Sequence, residues 1–409
     1  MIEQFNEDIK NFVTDYNREC DTSTLDEVTE YVVNMLLQLG YDKKKHVFDR
    51  FIRQTIATQF KDLYGDAYNF DIEPKPEVVE FIGTIPQHEQ RTEAWYAARK
   101  NSIGASESSA IFGLNPYESV NKLILKKCGV VQVDQARMKA ICEHGVKYEP
   151  IIQDMYCRDK NTEIKEFGSL PHQSEELSMV TASPDGITPD GCMLEIKAPV
   201  KRDITGIPPP YYWVQCQQQM QVCQLDIVHF LEVKIQEYTN NDDYINDCGE
   251  DLNAPYTKEG LEKGVIIEYH KLDSDDGDIG YYYADKLLKT SEIREWFKEK
   301  SLEINSDSNK QVRRLGYWKC TKYCLTDIYK DQEWWDTNVH KFHEFWKKVL
   351  YHRENGVTDL LPKKRIPKEK VKKVVECIIE SDDEDKKPKE CNDCEKVPQE
   401  QCAIVSDED

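Results

Sequence analysis

Nowhere in these 409 residues do 18 apolar residues run together, which excludes a membrane-spanning helix. The opening stretch Met1-Ile-Glu-Gln-Phe-Asn-Glu7 has neither the basic nor the apolar region of a secretory leader. The 14 cysteines lack the spacing of a disulfide framework, and Cys128, Cys157, Cys216 and Cys223 fall in apolar, helix-like runs. Reduced thiols and a soluble, intracellular protein are therefore expected. Basic residues are also in short supply: 54 Lys and Arg stand against 76 Asp and Glu, a net charge of −22. That balance argues against a protein that coats nucleic acid nonspecifically. It leaves room for a local basic track, because salt screens charges beyond about 10 Å. No zinc finger or recognition helix for reading DNA sequence is evident. Cys320-x3-Cys324 and Cys391-x2-Cys394 are two metal half-sites, for zinc or an iron–sulfur cluster. Their long separation and the acidic surroundings of the second pair weigh against both. What is present is a hydrophobic content of 39%, enough for a real core, and a length suited to two or three units.

The most informative segment is Met179-Val-Thr-Ala-Ser-Pro-Asp-Gly-Ile-Thr-Pro-Asp-Gly-Cys-Met-Leu-Glu-Ile-Lys-Ala-Pro199. It reads as strand, turn, strand, with the strands at Met179–Ser183 and Met193–Lys197. Pro189-Asp190-Gly191 reads as the turn. Glu195 and Lys197 are two apart on a strand and so share a face. A hairpin would return Asp185 beside them, converging two carboxylates and an ammonium. Hard divalent cations such as Mg²⁺ take oxygen ligands of this kind, and a neighbouring lysine can orient or deprotonate water. The bland alternative is an ordinary hairpin with a surface Glu/Lys pair.

Pro-Asp, nine residues, then Glu-x-Lys resembles the PD-(D/E)xK metal-dependent nucleases. The flanking segments sharpen the resemblance. Upstream lie Arg91-Thr-Glu-Ala-Trp95-Tyr-Ala-Ala-Arg99-Lys-Asn-Ser-Ile-Gly104-Ala-Ser106 and Glu143-His-Gly145-Val-Lys-Tyr148-Glu149, the latter opening a helix through Ile151, Ile152 and Met155. Downstream is Tyr212-Trp-Val-Gln215-Cys-Gln217-Gln-Gln-Met220. In this order the segments resemble the lambda-exonuclease-like family, also called YqaJ-type viral recombinases. The likeness is strong over about residues 88 to 235. It weakens to about 350, through Gly316-Tyr-Trp318 and Trp334/Trp335.

That resemblance implies an α/β (α+β) fold, a PD-(D/E)xK core with a mixed central sheet flanked by helices. It implies that Asp185, Glu195, Glu149 and the carbonyl of Ile196 hold Mg²⁺, with Mn²⁺ as a substitute, and that Lys197 serves the attacking water. It implies that Arg99 and Ser106 hold a 5′-phosphate. Arg has the planar fork for that task, and Ser106 looks like a helix N-terminus, which favours anions; a surface charge and a plain N-cap are the alternatives. Gln215 would hold the scissile phosphate or a water, with Gln217 beside it. Trp95 is expected in the core, with stacking on a terminal base as the minority reading. The implied activity is a 5′→3′ exonuclease on double-stranded DNA ends that leaves 3′ single strands for recombination. The implied partners are a single-strand annealing protein and, by family precedent, further copies of itself in a trimer. The setting is a virus or phage, in host cytoplasm or nucleus. The rivals are a structure-specific or helicase-coupled endonuclease and a non-catalytic scaffold.

Four regions follow. Residues 1–85 are helical: Phe5, Ile9, Phe12 and Val13 recur at helical spacing, Thr24-x-x-Glu27 is a capping box, and Phe48, Phe51, Ile52 and Ile56 mark a third helix. Residues 86–355 are the nuclease domain, with a loop expected over Asn240–Pro255 and an acidic turn over Asp273–Asp278. Residues 356–375 are a basic linker. Residues 376–409 are an acidic tail, read as disordered; from Glu376 onward it holds 13 acids against 4 bases.

Overall fold

Periodic apolar residues set the first layer of the fold. In α1 (Ile2–Glu19) Phe5, Ile9 and Val13 fall one turn apart, and all three are buried. They pack with α2 (Leu25–Gln38), α3 (Lys45–Gln59) and the single turn α4 (Lys61–Tyr64). Thr24 and Glu27 form the expected capping box, each accepting from the other's backbone N–H. The structure is a computed structural model describing residues 2–19, 24–39, 45–64, 71–90, 92–130, 135–273 and 278–361. Arg91, the tip of the Asp273–Asp278 turn, Cys391, Cys394, most of the basic linker and the whole acidic tail lie outside the described residues.

The chain continues through α5 (Pro76–Thr84), α6 (Glu93–Lys100), β1 (Ile103–Gly104), α7 (Ala105–Ile111), α8 (Val120–Lys127) and α9 (Gln135–Lys160). Short strands β2 (Leu170–Pro171), β3 (Val180–Ala182) and β4 (Gly186–Ile187) lead to β5 (Met193–Lys197) and α10 (Pro210–Cys223). Then come β6 (Ile227–Glu237), α11 (Asn241–Asn246), β7 (Lys263–Lys271), β8 (Ile279–Tyr283), α12 (Thr290–Ser306), β9 (Lys310–Tyr329), α13 (Gln332–Asn338) and α14 (His340–Asn355). The main sheet runs β4-β5-β6-β9-β7-β8, with β5 and β6 parallel and the other pairs antiparallel. This is the expected mixed sheet in an α/β fold. A small second sheet, β1-β3-β2, stands apart from it.

Side-chain alternation divides the sheet between two cores. Met193, Val228 and Phe230 face the layer that holds the N-terminal helices, α7, α10 and α14. Leu194, Ile196, Leu231, Val233 and Ile235 face α9. Met1–Leu361 make one compact unit. Its long-range ties are specific: Asn6 donates to Thr205 Oγ1 (2.8 Å) and to the Ile207 carbonyl (3.1 Å). Gln54 donates to the Tyr329 carbonyl (2.9 Å) and accepts from Trp213 Nε1 (2.9 Å). Arg50 forks onto Asp331 at 2.8 and 2.9 Å.

Three expectations change. The strand Val180–Ala182 does not form a hairpin with β5; it pairs with β1 and β2, while β5's antiparallel partner is β4. Pro184 lacks the N–H a continuing ladder needs, so the strand ends and a new one starts past Asp185. The helix bearing Glu149 starts by Gln135, well before Glu143, and carries Pro150 internally. The Asn240–Pro255 segment holds a helix, α11, capped by the Asn240 side chain on Asp243 N–H (2.9 Å). Cys320 and Cys324 fall on either side of a bulge in β9. Cys320 is buried in the α9 core, while Cys324 Sγ lies by Thr326 and Gly206.

Candidate functional site

The β4–β5 hairpin is closed by Thr188, whose Oγ1 accepts from Cys192 N–H at 2.9 Å, and by Gly191 at φ +93°, a value that favours glycine. Asp190 is in that turn, as expected. Asp185, just before β4, sends its Oδ2 across to accept the Ile196 N–H at 2.7 Å. A strand residue's C=O leaves on the same edge as its N–H, so the Ile196 carbonyl also faces Asp185. Glu195 and Lys197 project from the opposite face to Leu194 and Ile196, toward α10.

Glu195 is 2% exposed, yet both its oxygens are engaged. Oε1 accepts from Lys197 Nζ and from Gln215 Nε2 (2.5 Å), and Oε2 accepts from Gln219 Nε2 (2.6 Å). Lys197 Nζ also stands 4.8 Å from the centre of the Tyr212 ring. From α9, Gln153 donates to the Asp185 carbonyl at 3.0 Å. Glu149, one turn earlier on that helix, acts electrostatically on Asp185. Burial first, then the charges of Glu195 and Glu149, push the Asp185 carboxyl well above the usual range, against the pull of Lys197. Burial alone would lower the Lys197 ammonium; Glu195, Tyr212 and Asp185 outweigh it and hold Lys197 protonated.

Among the described residues no three His, Cys, Asp or Glu side chains form a ready metal cage. The donor set nevertheless fits a hard divalent cation: carboxylates and a backbone carbonyl, all oxygen, with Asp185 raised by carboxylate crowding that a dication would relieve.

A second cluster lies on α6, α7 and α8. Arg99 Nη2 donates to Ser106 Oγ at 3.1 Å, joining the two residues read as phosphate ligands, and the Arg99 guanidinium covers the Trp95 ring at 4.4 Å. Trp95 is half-buried rather than a core residue, and its Nε1 reaches Ser183 Oγ (3.3 Å), two residues before Asp185. Ser106 is not the helix cap; Gly104 is. A Cβ at Gly104 would stand 3.1 Å from Arg99 Nη2, so a side chain there would crowd the guanidinium.

Beneath them Glu107 accepts from Gly104 N–H (3.0 Å), Lys126 (3.0 Å) and Lys127 (2.6 Å). Lys127 also donates to the Arg99 carbonyl (2.7 Å). Burial would raise Glu107, but Lys127, Lys126 and Arg99 hold it down to about 2. Burial pushes Lys127 down in turn, although Glu107 pulls it up, so the pair is worth less than the Glu107 side alone suggests. Arg353 of α14 completes the clamp, donating to the carbonyls of Lys100 (2.7 Å) and Lys127 (2.9 Å).

These segments, in this order and geometry, match one protein family. The model of the YqaJ-like viral recombinase domain matches residues 94–226. Over that span the chain is similar to the YqaJ-like viral recombinase domain. Two viral relatives share sequence with the chain. An uncharacterized protein of Acanthamoeba polyphaga mimivirus is 29% identical over 326 residues, covering 72% of this chain and 58% of that protein. A protein of African swine fever virus (strain Badajoz 1971 Vero-adapted) is 31% identical over 67 residues, covering 16% of this chain and 19% of that protein. The match thus spans less than two thirds of either relative. Among solved structures, LHK-Exo, an alkaline exonuclease from Laribacter hongkongensis, overlays at TM-score 0.37 with 17% identity, over 64% of this chain and 95% of that one. A phage-related exonuclease from Haemophilus somnus overlays at 0.27 with 13% identity, over 72% and 99%. Overlap at that level says nothing about chemistry.

Within residues 94–226, the structure brings Asp185, Glu195, Lys197, Ile196 and Gln215 together, with Glu149 alongside on α9. Gln217 is not brought there. It is fully buried, donating to the Tyr329 carbonyl (2.8 Å) and accepting from Asp331 N–H (2.8 Å), which corrects its reading as a DNA contact. Gln215 is at the site, but its amide nitrogen holds Glu195 rather than standing free for a phosphate. The residues missed were Gln219 and Gln153. Both were findable, since each lies four residues along a helix from a residue already chosen.

Proposed function

We propose that this protein is a divalent-metal-dependent deoxyribonuclease, acting as a 5′→3′ exonuclease on double-stranded DNA ends and leaving 3′ single strands for recombination or repair of viral DNA. The observation that carries the reading is the crowding of three carboxylates, with Glu195 and Glu149 both bearing on Asp185, and with the half-buried Lys197 ammonium held between Glu195 and Asp185. A fold gains nothing structurally from carboxylates pressed together in this way. A hydrolase that must hold a cation against phosphate does.

The side chains of Asp185, Glu195 and Glu149 and the carbonyl of Ile196 would hold Mg²⁺, or Mn²⁺ in its place. Bound there, the ion supplies Lewis-acid stabilisation of charge on the phosphate and lowers the pKa of a water. Lys197, fixed between Glu195 and the Tyr212 ring, orients the attacking water and balances charge through its ammonium. Gln215 and Gln219 keep the Glu195 carboxylate in a single orientation. Arg99 and Ser106 anchor the terminal 5′-phosphate, which sets polarity, while the Trp95 face under Arg99 steadies the guanidinium. The surplus of acid over the whole chain does not oppose this, since Arg99 and Lys100 end α6, Lys126 and Lys127 end α8, and Arg99, Lys126 and Lys127 all bear on Glu107.

The test is digestion of linear duplex DNA labelled at either end, with and without a 5′-phosphate, beside a closed circle, in Mg²⁺ or Mn²⁺. Mononucleotide release from 5′-phosphorylated ends with the circle intact is expected. Cutting of the circle would assign an endonuclease, and no cleavage with either ion would leave a DNA-processing scaffold.

A further inference from the structure

Tyr117 takes no part in holding the cation or the 5′-phosphate, yet two further rings link it to Lys197. It is 73% exposed, the highest value among the exposed large hydrophobic side chains of the described residues. It is not exposed for want of order. The Asn115 side chain accepts from Tyr117 N–H (2.8 Å) and Glu118 N–H (3.1 Å), and Lys122 Nζ reaches the Tyr117 carbonyl (3.4 Å). A fixed turn therefore presents this ring to solvent.

The ring begins a continuous aromatic path to the reacting centre. Tyr117 meets Tyr211 edge-on, with centroids 6.5 Å apart and planes at 82°. Tyr211 is buried and packs on Tyr212 at 4.4 Å. Tyr212 in turn lies under Lys197 Nζ at 4.8 Å. Burial, with Tyr212 and Tyr117 beside it, raises the Tyr211 phenol, so the buried ring of the path stays neutral at working pH. Lys122, in the first turn of α8, puts positive charge next to Tyr117 through its reach to the Tyr117 carbonyl. A neutral aromatic step with a basic edge, a few nucleotides' reach from the catalytic lysine, is the chemistry by which proteins hold unpaired bases.

We propose that Tyr117 is a stacking platform for an unpaired nucleobase of the DNA substrate, close to the cut, and that Tyr211 is the buried ring that props it. The proposal rests on the nuclease reading and adds to it: the enzyme takes its substrate with at least one base out of the duplex stack. Sequence would not matter to such a contact, because every base has a π-face.

The test uses full-length protein and two readouts. In steady-state cleavage, Tyr117→Ala is expected to raise KM for duplex DNA by about tenfold, the scale of one lost base–aromatic stack. The kcat should change little, and Tyr117→Phe and Tyr117→Trp should behave as wild type. In the second readout, Asp185→Ala protein binds uncut DNA carrying 2-aminopurine at each of the terminal positions in turn. One position should be quenched on binding, and the double variant Asp185→Ala/Tyr117→Ala should lose that quench. If wild type cleaves DNA, but Tyr117→Ala matches it in KM and no quench depends on Tyr117, the stacking role is overturned and the nuclease reading stands. If wild type neither cleaves nor binds DNA, both fall together.

Discussion

Replacing Gln219 with leucine removes one donor from a carboxylate that has nowhere else to turn. Glu195 is 2% exposed, and its Oε2 accepts from Gln219 at 2.6 Å while Oε1 is shared by Lys197 and Gln215. A hydrogen bond to a charged group contributes about 1.5–3 kcal/mol. At about 1.4 kcal/mol per factor of ten, that is about 10- to 150-fold in an equilibrium constant. The side chain is similar in volume, so the loss falls on carboxylate orientation rather than on packing. The expected result is a rise in the divalent-cation concentration for half-maximal cleavage of about 10- to 100-fold, in line with other partners that orient metal ligands. Saturating cation should restore most of the rate. The assay is cleavage rate against free Mn²⁺, with Mg²⁺ as a second series. Gln217→Leu is the internal control, because Gln217 bonds the Tyr329 carbonyl and Asp331 N–H instead. It should lower Tm and leave the cation midpoint in place. Equal midpoints for wild type and Gln219→Leu would refute the reasoning, and so would an equal shift in Gln217→Leu.

Asp185→Ala should abolish cleavage while DNA binding persists, measured by gel shift without divalent cation. It should also erase the rise in Tm that saturating Mg²⁺ gives wild type, about 2.7 kcal/mol at a hundred times Kd. Arg99→Ala should weaken use of 5′-phosphorylated ends selectively, so that the rate ratio of phosphorylated to hydroxyl ends falls toward one; an equal loss on both would contradict the anchoring role. Lys127→Met leaves the buried Glu107 charge to Lys126 and the Gly104 N–H and should cost stability, below the about 3–5 kcal/mol of a wholly unpaired buried charge, read as a drop in Tm, with Lys127→Met/Glu107→Gln milder than the single change. Glu107 is held down to about 2 in the folded protein, below its ordinary value of 4.5, so its ionisation contributes stability above about pH 4.5 and loses it as pH falls toward 2. The Tm gap between wild type and Glu107→Gln should therefore shrink over that acid range, and a gap constant with pH would refute the assignment.

Sequence was informative where chemistry is local. The period-two placement of Glu195 and Lys197 put both on one face, and the Thr24/Glu27 box and the Phe5/Ile9/Val13 stripe each mark a helix that forms. Pairing was less legible. Nothing in the order of residues says that the strand before Pro184 joins β1 and β2 instead of β5, because β1 lies some eighty residues upstream and strand partners are chosen by tertiary packing. The glutamines of α10 show a finer limit. Five lie between Gln215 and Gln221, and only helical phase separates Gln215 and Gln219, which face Glu195, from Gln217, which faces β9. The Glu107–Lys127 pair was hidden for a different reason: buried charges look like surface charges until their partners are known.

The ties made by the first helices impose an order in time. Asn6 must find Thr205 and Ile207, and Gln54 must find Tyr329, 275 residues further along. At a synthesis rate of about 5–20 residues per second, a nascent α3 is complete for about 14 to 55 s before Tyr329 exists. Through that interval the faces of α1 and α3 that end up against residues 205–213 and 329–331 lack their partners. These helices are thus made well before the partners that lock them, and the growing chain offers a long window in which a chaperone can hold them.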